Sequence, residues 1–83
     1  MTPEQHISRL LKAWGQFPAA TPEDFNCLVE EVSTALRMGA EPPELVFVIQ
    51  NEFFNHFGEE GPAEPVAAMA EQLCAWWTSQ QGA

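Results

Sequence analysis

Apolar side chains return at three- and four-residue intervals in four stretches of the chain, the spacing of one helix face. In the first stretch Ile7, Leu10, Leu11 and Trp14 share a stripe, and Gln5, Arg9 and Lys12 lie across from it. Thr2-Pro3-Glu4-Gln5 is a strong start signal. Thr2 can cap, Pro3 suits the first turn, and Gln5 stands at the reciprocal capping position. Gly15 and Pro18 close the helix, Phe17 is expected to fold back onto the core, and Ala19-Ala20 belongs to a short connector. Thr21-Pro22-Glu23-Asp24 repeats the start signal. Phe25, Leu28, Val29, Val32, Ala35 and Leu36 then make a narrow apolar face opposite Asp24, Glu30, Glu31 and Thr34. Acidic residues open this second helix and Arg37 closes it, as the helix dipole favours, and Gly39 is a natural cap.

The third stretch, Pro42 to Phe57, is the one the rest of the chain is organised around. At about 100° per residue, Leu45, Ile49, Phe53, Val46 and Phe57 fill one broad face, and Phe47 and Phe54 carry apolar surface well past half the circumference. Gln50, Asn51, Glu52 and Asn55 remain as a polar strip, interrupted by Val48. Gly58 ends the helix, and Glu59-Glu60-Gly61-Pro62 is an acidic turn, expected to be the most mobile internal segment. In the fourth stretch Val66, Met69, Ala70, Leu73, Trp76 and Trp77 share an inner face, with Glu64, Glu71, Ala75 and Thr78 outside and fraying from Gln80 onward.

No segment alternates with period two, so no sheet is expected, and the short connections favour antiparallel neighbours. The predicted architecture is all-α: a compact, four-helix-bundle-like single domain over residues 1–83, with helices at about 3–15, 22–38, 43–57 and 64–79. Eighty-three residues lie near the lower end of what folds without staples, and three Trp and six Phe can supply the core so short a chain needs. No apolar run approaches the roughly 20 residues that cross a bilayer. Met1 leads into no basic-then-apolar leader, and two cysteines are too few for a disulfide framework, so the predicted setting is cytoplasmic with free thiols.

Charge narrows the function classes. Twelve acidic residues face three basic ones, Arg9, Lys12 and Arg37, for a net charge of −9. No Lys or Arg follows Arg37, while Glu41, Glu44, Glu52, Glu59, Glu60, Glu64 and Glu71 do. Direct binding to nucleic acid or to an anionic membrane is not expected, because too few cations are present to displace counterions or meet lipid phosphates. Two readings of the acidity stay open: it keeps the protein soluble, or it steers the protein to a basic partner.

Catalytic and metal chemistry find little support. His6 and His56 are the only histidines. His56 follows Glu52 by four residues, so the two can meet on one helix face, but a structural metal would want more nitrogen or sulfur ligands. Cys27, on the polar side of its helix, and Cys74, at the margin of an apolar stripe, read as ordinary free thiols. Glu30-Glu31 and Glu59-Glu60 read as solvated faces, since an acid–base pair would need a cleft around it. The glycines make no phosphate-binding loop, and no calcium loop is present. Acyl carrier proteins are also acidic four-helix domains of this length, but their prosthetic arm sits on a serine that follows Asp at a helix start. Here Ser8 follows Ile7, Ser33 follows Val32 and Ser79 follows Thr78, so that comparison fails at the residue that matters. No enzyme activity, cofactor or metal is predicted.

Instead the third helix offers more apolar width than its neighbours plausibly cover. Val46, Phe47, Gln50 and Phe54, with Trp76 or Trp77, are the candidate residues of an outward-facing protein-binding site; the alternative is a central helix buried on nearly all sides. The same surface could also pair with its own copy as a homodimer. The size, the acidic balance and the aromatic-rich third helix L-V-F-V-I-Q-N-E-F-F-N-H-F resemble the small antiactivators of quorum sensing on rhizobial integrative and conjugative elements, the QseM type. The resemblance spans the whole chain and assigns no residue roles. It implies a protein that sequesters transcriptional activators of conjugative transfer, including LuxR-type regulators. The expected function is thus that of a non-enzymatic regulator that occludes a DNA-binding transcriptional activator. The alternative is an acidic nucleic-acid mimic that inhibits a nuclease or another DNA-binding protein.

Overall fold

The structure, a computed structural model, describes residues 2–17 and 22–81. Four helices follow one another: α1 (Pro3–Trp14), α2 (Pro22–Arg37), α3 (Pro42–Phe57) and α4 (Ala63–Gln81). Among the described residues no strand is present. The all-α, bundle-like architecture read from the periodicity therefore holds, with α4 continuing past the expected stop at residue 79.

Local chemistry explains the ends. At the start of α1 the Gln5 amide N–H donates to Thr2 Oγ1 at 3.2 Å while Thr2 N–H donates to Gln5 Oε1 at 3.0 Å, so two orphan donors are satisfied reciprocally. At α3 the Glu41 N–H donates to Glu44 Oε1 at 3.2 Å. The matching role expected of Thr21 lies outside the described residues. α2 ends where Gly39 takes φ +84, a left-handed conformation that costs glycine nothing. That turn lets Gly39 N–H reach the Leu36 carbonyl and Ala40 N–H reach the Ala35 carbonyl, each at 3.0 Å, which closes the helix and turns the chain toward α3.

Each helix packs on its neighbour in the chain: α1 on α2, α2 on α3, α3 on α4. The core is built from Ile7 and Leu11 of α1, Leu28, Val32 and Leu36 of α2, Leu45, Ile49 and Phe53 of α3, and Val66, Met69, Ala70 and Leu73 of α4. Removing a Leu or Ile side chain of this kind from water is worth about 1.5–3 kcal/mol. Phe17 does fold back. Its ring meets Phe53 and Phe57 edge-on with centroids 5.1 Å apart in both cases, closing the bundle beside the end of α1. At the opposite side His6 of α1 stacks on Trp76 of α4 at 4.2 Å. Arg37 pairs with Glu4 across α1 and α2, a half-exposed contact of small energetic weight.

One expectation about α3 is overturned. Glu52, placed with the polar strip, is buried at 7% exposure. It lies three residues beyond Ile49 and seven beyond Leu45, so helical rotation carries it onto the side that faces α2. The solvated strip on α3 is correspondingly narrower.

Candidate protein-docking site

The inward side of α3 carries Leu45, Ile49 and Phe53, all buried. Half a turn away the helix presents Phe47 at 73% exposure and Phe54 at 58%. Seven residues separate these two, so they lie almost in line along the helix axis, about 10.5 Å apart. Single exposed apolar residues are ordinary, but two aligned rings on one helix are a patch.

The polar side chains around the patch are fixed by the loop that follows. The Gly61 N–H donates to Gln50 Oε1 at 2.6 Å, and Gln50 Nε2 donates to the Gly61 carbonyl at 3.1 Å. The amide of Gln50 therefore grips the backbone of the turn from both sides. Gly61 is required there, because a Cβ at that position would stand 2.7 Å from the buried Phe53 ring. Pinned in this way, the turn expected to be mobile sets Glu60 at the edge of the patch. The result is a shallow depression lined by Phe47, Gln50, Asn51, Phe54 and Glu60. Its chemistry is two aromatic faces, amide groups and a carboxylate, in a half of the chain that has no Lys or Arg.

A second cluster joins α2 to α3. His56 Nδ1 lies 3.2 Å from Asp24 Oδ1, and Nε2 lies 3.5 Å from Glu52 Oε1. The first distance is within hydrogen-bonding range; the second is too long for a directed bond, and that Glu52 oxygen has no hydrogen-bond partner among the described residues. A general base needs one ring nitrogen facing a substrate. Here both nitrogens face carboxylates, and the Phe17 ring stands edge-on at 6.0 Å, so the arrangement acts as a clasp between helices. Among the described residues no group of His, Cys, Asp or Glu is gathered where it could hold a metal ion.

Neither thiol is activated. Desolvation, then the carboxylates of Glu52, Glu30, Asp24 and Glu23, push the exposed Cys27 above the ordinary thiol value. Cys74 donates its S–H to the Ala40 carbonyl at 3.6 Å, and desolvation followed by Glu41 and Glu44 raises it as well. A raised thiol pKa means less thiolate and a poorer nucleophile.

No family model, no curated protein and no solved structure matches the chain.

Of the six residues proposed from the sequence, the structure brings three together: Phe47, Gln50 and Phe54. Val46 is partly buried against the core. Trp76 lines a different depression with Thr2, Pro3, His6 and Gln80, and Trp77 lies beside Leu36, Arg37, Gly39 and Thr78. Grouping the tryptophans with the α3 patch is thus corrected. The inner face of α4 meets the core through Val66 to Leu73, and the two Trp lie beyond that segment, beside α1 and the end of α2. Asn51 was read only as part of a polar strip, and its place at the patch follows from its position between Phe47 and Phe54 on the same face. Met38, at 82% exposure, carries no sequence signal; it directly follows the last residue of α2, where periodicity no longer assigns a face. Asp24 carried no signal of its partnership with His56, because the contact joins residues on two different helices.

Proposed function

We propose that this chain is a non-enzymatic, cytoplasmic protein-binding regulator, an antiactivator that sequesters a DNA-binding transcriptional activator through the outer face of α3. The observation that carries the reading is the pair of exposed, aligned rings of Phe47 and Phe54 beside Glu60. Aromatic anchors supply much of the energy at protein interfaces, often about 2 kcal/mol or more apiece. The net charge of −9 suits a partner that itself binds phosphate and is therefore basic. The resemblance to quorum-sensing antiactivators of mobile elements points to the same class of partner, with LuxR-type activators among its members.

The test compares the wild-type chain with Phe47→Ala/Phe54→Ala as bait in a pull-down from the native host. The wild type is expected to retain a DNA-binding activator and to displace it from its operator in a gel-shift assay. The double variant should melt like the wild type and do neither. Unchanged retention by a folded double variant would remove the reading. The acidic mimic is favoured by the cation-free sequence after Arg37, and salt separates the two. A complex that dissolves over a few hundred millimolar salt is mimicry; one that survives salt but not loss of the rings is hydrophobic anchoring.

A further inference from the structure

We infer that the segment seated on α3 is a cationic amphipathic helix lying along it, with apolar residues against Phe47 and Phe54 and a Lys or Arg at Glu60. The inference rests on the docking reading above and names the shape and charge of its occupant.

Spacing argues for a helix. The backbone positions that carry the two rings lie about 10.5 Å apart along α3, which is the rise between residues i and i+7 of a second helix. Same-side residues of an extended strand come about every 6.8 Å, a poorer match to that rise than the seven-residue repeat of a helix. The backbone of α3 is also spent on its own helical bonds and offers no edge for strand addition.

Charge argues for a basic occupant. Glu60 is the charged wall of the depression, and the reciprocal pair of hydrogen bonds between Gln50 and Gly61 holds its loop in place. Glu59 is exposed on the same loop, and Glu44 is exposed at the start of α3. No Lys or Arg on α3, on that loop or on α4 offsets them. The same charges oppose the other occupant the patch could take. A second copy would set one carboxylate-lined patch against another and bring together two chains of −9 each, so self-pairing is disfavoured.

The experiment is selection from a displayed library of helices about five turns long. Apolar residues are fixed at i, i+3 or i+4, and i+7, and Lys, Glu and Gln are randomised at the flanks. The full chain is the target, and Phe47→Ala/Phe54→Ala is the counter-target. Enriched helices are expected to be net positive. Glu59→Gln/Glu60→Gln should weaken a winning helix about twofold to fivefold, the size of a partly exposed ion pair. Gln50→Ala should erase its preference over a neutral helix. Neutral or acidic winners, or cationic winners indifferent to Glu59→Gln/Glu60→Gln, overturn the charge assignment. A dimer in sedimentation equilibrium that dissociates on Phe47→Ala/Phe54→Ala assigns the face to a second copy and also overturns it. If no helix is enriched while the host activator is still retained through Phe47 and Phe54, the helical occupant fails and the docking reading stands. If both are absent, both fall.

Discussion

Rotation about the axis of α3 decides what each phenylalanine does. Phe53 is 4% exposed while its neighbour Phe54 is 58% exposed. Stability should follow the same division. Leu45→Ala is expected to cost about 2–5 kcal/mol in denaturant unfolding, and Phe47→Ala less than about 1 kcal/mol. Ser33 is 3% exposed, and its hydroxyl lacks a hydrogen-bond partner among the described residues. Ser33→Ala should therefore raise stability, by up to about 1–3 kcal/mol, since a stranded hydroxyl is removed at little change in volume. Gly61→Ala should lower it by about 1–3 kcal/mol, because the new methyl meets the buried Phe53 ring. Cys27 gives a chemical readout. Its raised pKa keeps it protonated, so iodoacetamide at pH 8 should alkylate it more slowly than a free cysteine, and salt should narrow the gap by screening the carboxylates around it. The sign for folding is set in the same way. The contribution of this thiol is intact below the ordinary thiol value and fades as pH rises through the higher folded value.

At the scale of elements, start and stop signals were legible because they are local. Thr2 and Gln5 exchange the two hydrogen bonds that their spacing implied, and Gly39 ends α2 with the pair of closing bonds expected of a left-handed glycine. Thr2→Ala is expected to cost about 1 kcal/mol, seen as a fall of about 4–8 °C in the melting midpoint of a chain this short. Which side of α3 is buried was legible only in part. Periodicity finds the centre of an apolar face, as at Leu45 and Ile49, but a polar residue at its margin is assigned by what packs there. Glu52 is buried because α2 presents the side where His56 and Asp24 also meet. The loop after α3 was legible as an acidic turn, but not the contact that holds it. A side-chain amide that holds backbone eleven residues away leaves no trace in composition or period.

For the whole molecule, contacts run between helices that follow one another in sequence, with the His6–Trp76 stack joining the first to the last. A fold rich in sequence-near contacts gives up little loop entropy on the way to its transition state. Stopped-flow or temperature-jump unfolding is expected to show a single chevron with folding on the microsecond-to-millisecond scale. The radius of gyration, 11.8 Å, is that of a close-packed chain of this length, about 12 Å. The candidate site was legible as a surplus of aromatic surface on α3, and Phe47, Gln50 and Phe54 were named from it. The two tryptophans were misplaced because the path of α4 over the bundle is a property of three-dimensional packing, and a helical wheel does not contain it.

Phe47 and Phe54 point away from the side of α3 that builds the core. Under the proposed docking role, affinity and foldedness would sit on opposite sides of one cylinder. With that role, substitutions along the outer line would retune the choice of partner while the protein goes on folding, so lineages of such a protein would be free to track a changing target without first passing through unstable ancestors.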